Sequence, residues 1–126
     1  MSRLIWTKEH KLLRKPEFDL CYEQGKKLFT RSFILFVLCH GSGPGGVRLG
    51  LTVSRKKGPA VVRNRIKRVL RSFFRLNQDN FQVRADIIIV PKRVLNGKTV
   101  DYSLVEKELL PMIGKVNNLP SAGEKQ

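Results

Sequence analysis

Residues 49–75 read "LGLTVSRKKGPAVVRNRIKRVLRSFFR", and the change of period inside this stretch decides the fold. Leu49, Leu51 and Val53 alternate with Gly50, Thr52 and Ser54, the pattern of a strand with one buried face. A basic turn, "SRKKG", follows. From Pro59 to Leu76 the apolar residues change to helical spacing, and Val62, Ile66, Val69, Leu70 and Phe73 share one stripe. Asn64, Arg68, Arg71 and Arg75 lie opposite, with Lys67 beside them and Arg63 and Arg65 on the flanks. From Arg55 to Arg75 there are nine basic residues and no acid. Like charges at i, i+4 spacing weaken a helix. The compensating charge must come from outside it.

The whole chain carries the same imbalance. Its 126 residues include 25 Lys and Arg against 10 Asp and Glu, a formal net charge of +15. That excess favours a polyanion, with nucleic acid ahead of an anionic membrane. The length suits one domain with its own core. We expect it to span residues 1–116, with 1–15 a basic arm and 117–126 a flexible tail. The longest apolar run, Phe33 to Cys39, is too short to cross a bilayer. The N-terminus lacks the apolar region of a secretory signal. Both point to a cytoplasmic protein. Cys21 and Cys39 fit no zinc spacing and read as reduced, buried thiols.

Working outward, "KPEFDLCYEQG" (15–25) reads as a short helix. Pro16 sits in its first turn, Glu17 and Asp19 lie near its positive end, and Gly25 serves as a terminator. "KKLFTRSFILFVLCH" (26–40) reads as extended, and the "GSGPGG" loop joins it to the next strand as a hairpin. "ADIIIVP" (85–91) is an apolar run of the kind buried on both faces. Ser103 and Glu106 form an S-x-x-E capping box. The helix it opens has the stripe Val105, Leu109, Met112 and Ile113, and Pro111 should kink or end it. The sum is an α+β sandwich, helices against one mixed sheet.

The chemistry of the basic helix favours nucleic-acid phosphates, and composition does not separate RNA from DNA. Arg binds two phosphate oxygens through its planar fork, and Asn64 adds a donor and an acceptor for a ribose or base edge. Gly41, Gly43 and Gly46 match G-x-G-x-x-G formally, but a strand follows where a dinucleotide site needs a helix. Cys39-His40 has no third ligand or acid partner at a useful spacing, and His10 and His40 are isolated. Asp86 reads as a cap or as the partner of a basic residue. No carboxylate pair suggests a two-metal nuclease site in the protein.

With its basic helix, the opening stretch resembles the bacterial ribonuclease P protein component. Arg63, Asn64, Arg65, Lys67, Arg68 and Arg71 match that family's R-N-R-x-K-R-x-x-R helix. Phe18, Tyr22 and Gly25 upstream, and "DIIIVPK" downstream, fall where the family has them. The resemblance covers residues 10–115. It implies a two-layer αβββαβα fold like one domain of a small-subunit ribosomal protein. It also implies a left-handed βαβ crossover, where general rules give a right-handed one.

The implied function is the protein subunit of a ribonucleoprotein endonuclease that removes the 5′ leader from precursor tRNA. The RNA subunit would hold the catalytic Mg²⁺, leaving no catalytic or metal-binding residue to the protein. Arg55, Lys56, Asn64, Arg65, Lys67, Arg68 and Arg71 would contact RNA. Phe18, Tyr22 and Phe36 would line a cleft for the unpaired leader. Read without the resemblance, these three aromatics are core residues. Phe36 shares a strand face with Ser32 and Ile34. Departures from the family are Arg55 for a usual Lys, Pro59 for a polar residue, Ser72 for a common Glu, and Pro111. The rival readings are a ribosomal RNA-binding protein, a self-sufficient nuclease and a nonspecific DNA-binding protein. No DNA or membrane partner is expected.

Overall fold

The computed structural model describes residues 11, 14–43 and 46–120. They form α1 (Lys15–Gln24), β1 (Lys26–Phe29), β2 (Phe33–Ser42), β3 (Gly46–Leu51), α2 (Ala60–Leu76), β4 (Val83–Pro91) and α3 (Tyr102–Asn117). This is the expected α+β order, αβββαβα. Among the described residues no helix is long and apolar enough to cross a membrane.

The four strands make one mixed sheet in the order β1-β2-β4-β3. β2 runs antiparallel to both β1 and β4, and β3 runs parallel to β4. The expected hairpin between β2 and β3 is therefore not formed. β4 enters between them, and its Ala85, Ile87, Ile88 and Ile89 are all fully buried, covered on both faces of the sheet. The Gly-rich loop thus spans two interstrand spacings, about 10 Å. The hairpin in the sheet is β1–β2, turning through Thr30, Arg31 and Ser32.

Side-chain alternation along β2 separates two layers. Phe33, Leu35, Val37 and Cys39 face the main core with Ile66, Leu70, Phe73 and Phe74 of α2 and Val105, Leu109 and Val116 of α3. Leu38 and Phe36 face the other way, where Cys21 and Phe18 of α1 pack with Ile88 and Val90. The predicted stripe of α2 holds: Ile66, Leu70 and Phe73 are buried, and Val62 and Val69 pack against them. Phe74 joins it.

Several element ends differ from the sequence reading. Pro59 is the N-cap of α2 rather than its first residue. Before it, a 3₁₀ turn over Arg55–Lys57 ends at Gly58, whose φ of 134° suits only glycine. Helix α3 is capped by Asp101, whose Oδ1 accepts the Leu104 N–H at 3.0 Å. Aspartate is as good a cap as serine, so the Ser103 capping box is pre-empted one half-turn earlier. Pro111 does not end α3, because Met112, Ile113 and Val116 beyond it are buried in the main core. Packing outweighs the lost hydrogen bond.

Gly25 has an extended φ of −73°, so its role is space rather than handedness. A Cβ there would meet the Cys21 carbonyl oxygen at 2.4 Å. The first residues of the expected tail, from Asn117 on, are packed. Asn117 Oδ1 accepts the Gln82 N–H at 2.7 Å, and Leu119 packs on the main core. Residues 1–10 and 12–13 of the expected arm and 121–126 of the expected tail lie outside the described residues.

One carboxylate fastens α3 to the β1–β2 turn. Glu108 accepts the Thr30 hydroxyl at 2.6 Å, the Ser32 N–H at 2.8 Å and the Ser32 hydroxyl at 2.6 Å. Ser32 therefore turns toward α3, not to the Phe36 face expected of it. Burial pushes the Glu108 pKa up, but the bonds from Ser32 and Thr30 and the charge of Arg31 outweigh it and leave it lowered. A depressed carboxylate pKa contributes stability that is complete above the ordinary value of 4.5 and is lost as pH falls through the folded value. Glu108→Gln should cost about 1–3 kcal/mol at pH 7. The gap from wild type should close in acid, read as melting temperature against pH.

Candidate nucleic-acid interface

Because α2 buries one stripe, its other side stands in solvent. Asn64, Arg68 and Arg71 are exposed there, and Lys67 and Arg65 are half-buried at its borders. Arg65 is partly committed, donating from Nε to the Val100 carbonyl at 3.1 Å. Arg63 likewise donates to the Gly58 carbonyl at 3.2 Å. Arg55 and Lys56 are exposed in the 3₁₀ turn that leads into the helix. Among the described residues no acid pairs with Arg55, Lys56, Lys67, Arg68 or Arg71.

The third cation of that turn does different work. Lys57 Nζ donates to the carbonyls of Lys92 and Arg93, and to that of Leu95 at 3.0 Å. Desolvation lowers its pKa. It is an anchor for the loop after β4, and its sequence neighbours gave no sign of this.

Phe18, Tyr22 and Phe36 come together on the opposite layer, between α1 and the sheet. The Tyr22 and Phe36 rings meet edge to face at 4.8 Å, and Phe18 lies 6.5 Å from Tyr22. Tyr22 is 37% exposed while Phe18 and Phe36 are half-buried, so the cluster is open rather than sealed. Lys27 Nζ stands 5.5 Å from the Phe36 ring centroid, a cation over an aromatic face. The two predicted groups of site residues thus occupy opposite faces of the sheet. They are linked at one point. Tyr22 Oη and Thr52 Oγ1 are 2.8 Å apart, and Thr52 leads directly into the Arg55 turn.

The orientation of α1 rests on ionic contacts that the sequence reading did not assemble. Asp86 is 3% exposed in the middle of β4. Arg48 of β3 grips it with Nε at 2.7 Å and Nη2 at 2.8 Å, and reaches Glu17 of α1 with Nη1 at 2.9 Å. His40 Nε2 lies 3.1 Å from the same aspartate, brought there by a bulge between Cys39 and Gly41. The Arg48 pKa is raised, chiefly by Asp86. Burial pushes the Glu17 carboxyl up, but the Arg48 contact and the Arg14 backbone bond outweigh it and leave the pKa lowered. Beneath α1, burial and the Asp86 charge push the Cys21 thiol up to about 11. Cys21 and Cys39 are both free and buried, as expected.

Fold and surface together define a small basic α+β protein that sets cations on one layer and open aromatics on the other, an arrangement suited to a polyanion. The family profile described as Ribonuclease P matches residues 6–117. The ribonuclease P protein component of Maridesulfovibrio salexigens is 84% identical over 124 residues, covering 98% of this chain and 100% of its own. That of Desulfovibrio desulfuricans is 40% identical over 123 residues, covering 97% and 95%. The solved RNase P protein from Thermotoga maritima matches with a TM-score of 0.74 at 29% identity, covering 88% of this chain and 98% of its own. The Staphylococcus aureus RNase P protein gives 0.72 at 28%, covering 88% and 100%. The chain belongs to the ribonuclease P protein family. It is the protein component of an endoribonuclease complex of tRNA processing, with ribonuclease P RNA as its partner.

The contrast within the Arg55–Lys57 turn is directly testable. Lys57→Ala should lower stability by about 1–3 kcal/mol, since it strands carbonyls that the ammonium now satisfies. Arg55→Ala and Lys56→Ala should leave the melting temperature unchanged. Thermal denaturation of the three variants side by side checks this.

Proposed function

We propose that this protein binds the catalytic RNA of ribonuclease P through the outer face of α2 and the Arg55–Lys56 turn, and holds the single-stranded 5′ leader of precursor tRNA in the α1 cleft. The observation that carries the reading is the open cluster of Phe18, Tyr22 and Phe36 with Lys27 over the last ring. A leader of variable sequence is best held by aromatic faces and cations, because every base has a face to stack. Arg55, Lys56, Asn64, Arg65, Lys67, Arg68 and Arg71 act on phosphates and riboses, where Arg brings two parallel bonds. The rigid α2 positions them on a folded RNA whose own groups perform the cleavage.

Mg²⁺ belongs to the RNA in this reading. Among the described residues no three His, Cys, Asp or Glu side chains converge to hold an ion. Glu17 and Asp86 are engaged by Arg48, and Glu108 by Thr30 and Ser32. The carboxylates among the described residues are thus held by the protein's own groups, which favours leaving the ion to the RNA.

The test is reconstitution with a bacterial ribonuclease P RNA and labelled precursor tRNA at low Mg²⁺. Cleavage at the mature 5′ end should depend on both components. No gain from the protein would reduce it to a general RNA-binding module, and cleavage by the protein alone would overturn the division of labour. Two variants separate the surfaces. Arg68→Ala should weaken binding to the RNA subunit and reduce the log–log salt slope by about 0.7–0.9. Phe18→Ala or Tyr22→Ala should reduce discrimination of precursor over mature tRNA by about 1 kcal/mol or more. Equal losses for both tRNAs would count against the cleft.

A further inference from the structure

Phe29 is 56% exposed at the end of β1, an edge strand. Single exposed apolar residues are ordinary. Phe29 differs because a cation is fixed on it: Lys92 Nζ stands 5.3 Å from the ring centroid while donating to the Thr30 carbonyl at 2.6 Å. That ammonium keeps further donors for a ligand.

Register places this pair on the same sheet face as the aromatic cleft. Phe29 pairs with Ile34 and Lys27 with Phe36, and residues directly opposite in antiparallel strands share a face. Ile34 in turn pairs with Val90, which packs with Phe36 and Cys21 on the α1 side. Phe29 is therefore the diagonal neighbour of Phe36, about 7–8 Å away along the sheet. Each ring carries its own lysine. Helix α1 covers the face at Cys21, Leu38 and Ile88, while Ile34 and Val90 are only half-buried and Phe29 is open.

We propose that Phe29 and Lys92 form an additional nucleotide position, which extends the track from Phe36 toward the free edge of β1. It takes one unpaired leader nucleotide by stacking the base on Phe29, with the adjoining phosphate against Lys92. The proposal rests on the leader reading of the cleft. Continuity with Phe36 and the two lysines favour RNA over an apolar protein partner, which would gain nothing from an ammonium beside the ring.

The experiment measures the affinity of the reconstituted holoenzyme for precursor tRNAs whose leaders grow one nucleotide at a time. Wild type is compared with Phe29→Ala, Phe29→Val, Phe29→Tyr and, as a control, Phe18→Ala. Valine retains the strand preference, so it separates stacking from folding. Wild-type affinity should gain a step at one leader length that Ala and Val lose by about 5-fold or more and Tyr restores. Shorter leaders and mature tRNA should bind all the Phe29 variants alike. A Phe29→Val curve matching wild type, or a loss equal at every length including none, overturns the proposal. If Phe18→Ala loses discrimination while the Phe29 variants keep every step, the cleft stands and only the extension falls. If Phe18→Ala also keeps it, both fall.

Discussion

Everything in this fold is arranged around a strand with no wet side. From Ala85 to Ile89 β4 is buried on both faces, and its place inside the sheet holds β2 and β3 apart. The chain answers with a short Gly-rich connection over residues 43–45 on one side and the whole of α2 on the other. The single charge in the dry part of β4, Asp86, cannot remain unpaired there. Arg48 satisfies it and has a third nitrogen to spare, which reaches Glu17. The angle of α1, and with it the cleft of Phe18 and Tyr22, is thus inherited from the solvation of one buried carboxylate.

Separating the two proposed binding surfaces across the sheet gives each a different physical character. The cations of α2 act at a distance, through a field that steers and is screened by salt. The aromatics act only on contact and are nearly indifferent to salt. Asn64, Arg68 and Arg71 are exposed, whereas Tyr22 is tied through Thr52 to the strand that delivers the Arg55 turn. The hydrogen bond at that junction is the short route by which the placement of one surface fixes the other.

Much of this was legible in the sequence, wherever a local pattern determines the answer. The α2 stripe and its cationic back follow from helical spacing, and the double burial of β4 follows from "ADIIIVP". Strand pairing was not legible: alternation in Leu49, Leu51 and Val53 says that one face is buried, but nothing about the partner. Lys57 looks identical to Lys56 in sequence and differs only in the loop that folds beneath it. Ser103 was read as the cap and Asp101 takes that role two residues earlier, while Pro111 was overruled by the buried residues beyond it. The aromatics of the cleft read as core from their spacing, and they are half-core, packed on one side and open on the other. Phe29 escaped notice because its face is set by the register of β1 against β2. Only a paired reading of "KKLF" against "FILF" would have shown it.

The β3–α2–β4 connection has a kinetic corollary. Parallel pairing of β3 with β4 must close the segment that contains α2, and Phe33 must find Pro91 far along the chain. Such non-local closure is slow, since loop entropy is lost before contacts reward it. The helix that must dock is also the one burdened with self-repulsion, so dissolved salt eases folding of the free chain by screening it. Once RNA is bound, the same salt loosens the partner that stabilises the folded state by mass action. Ionic strength therefore pulls the naked protein and the ribonucleoprotein in opposite directions, and the reversal marks the point at which the polyanion takes over the neutralising role of the medium.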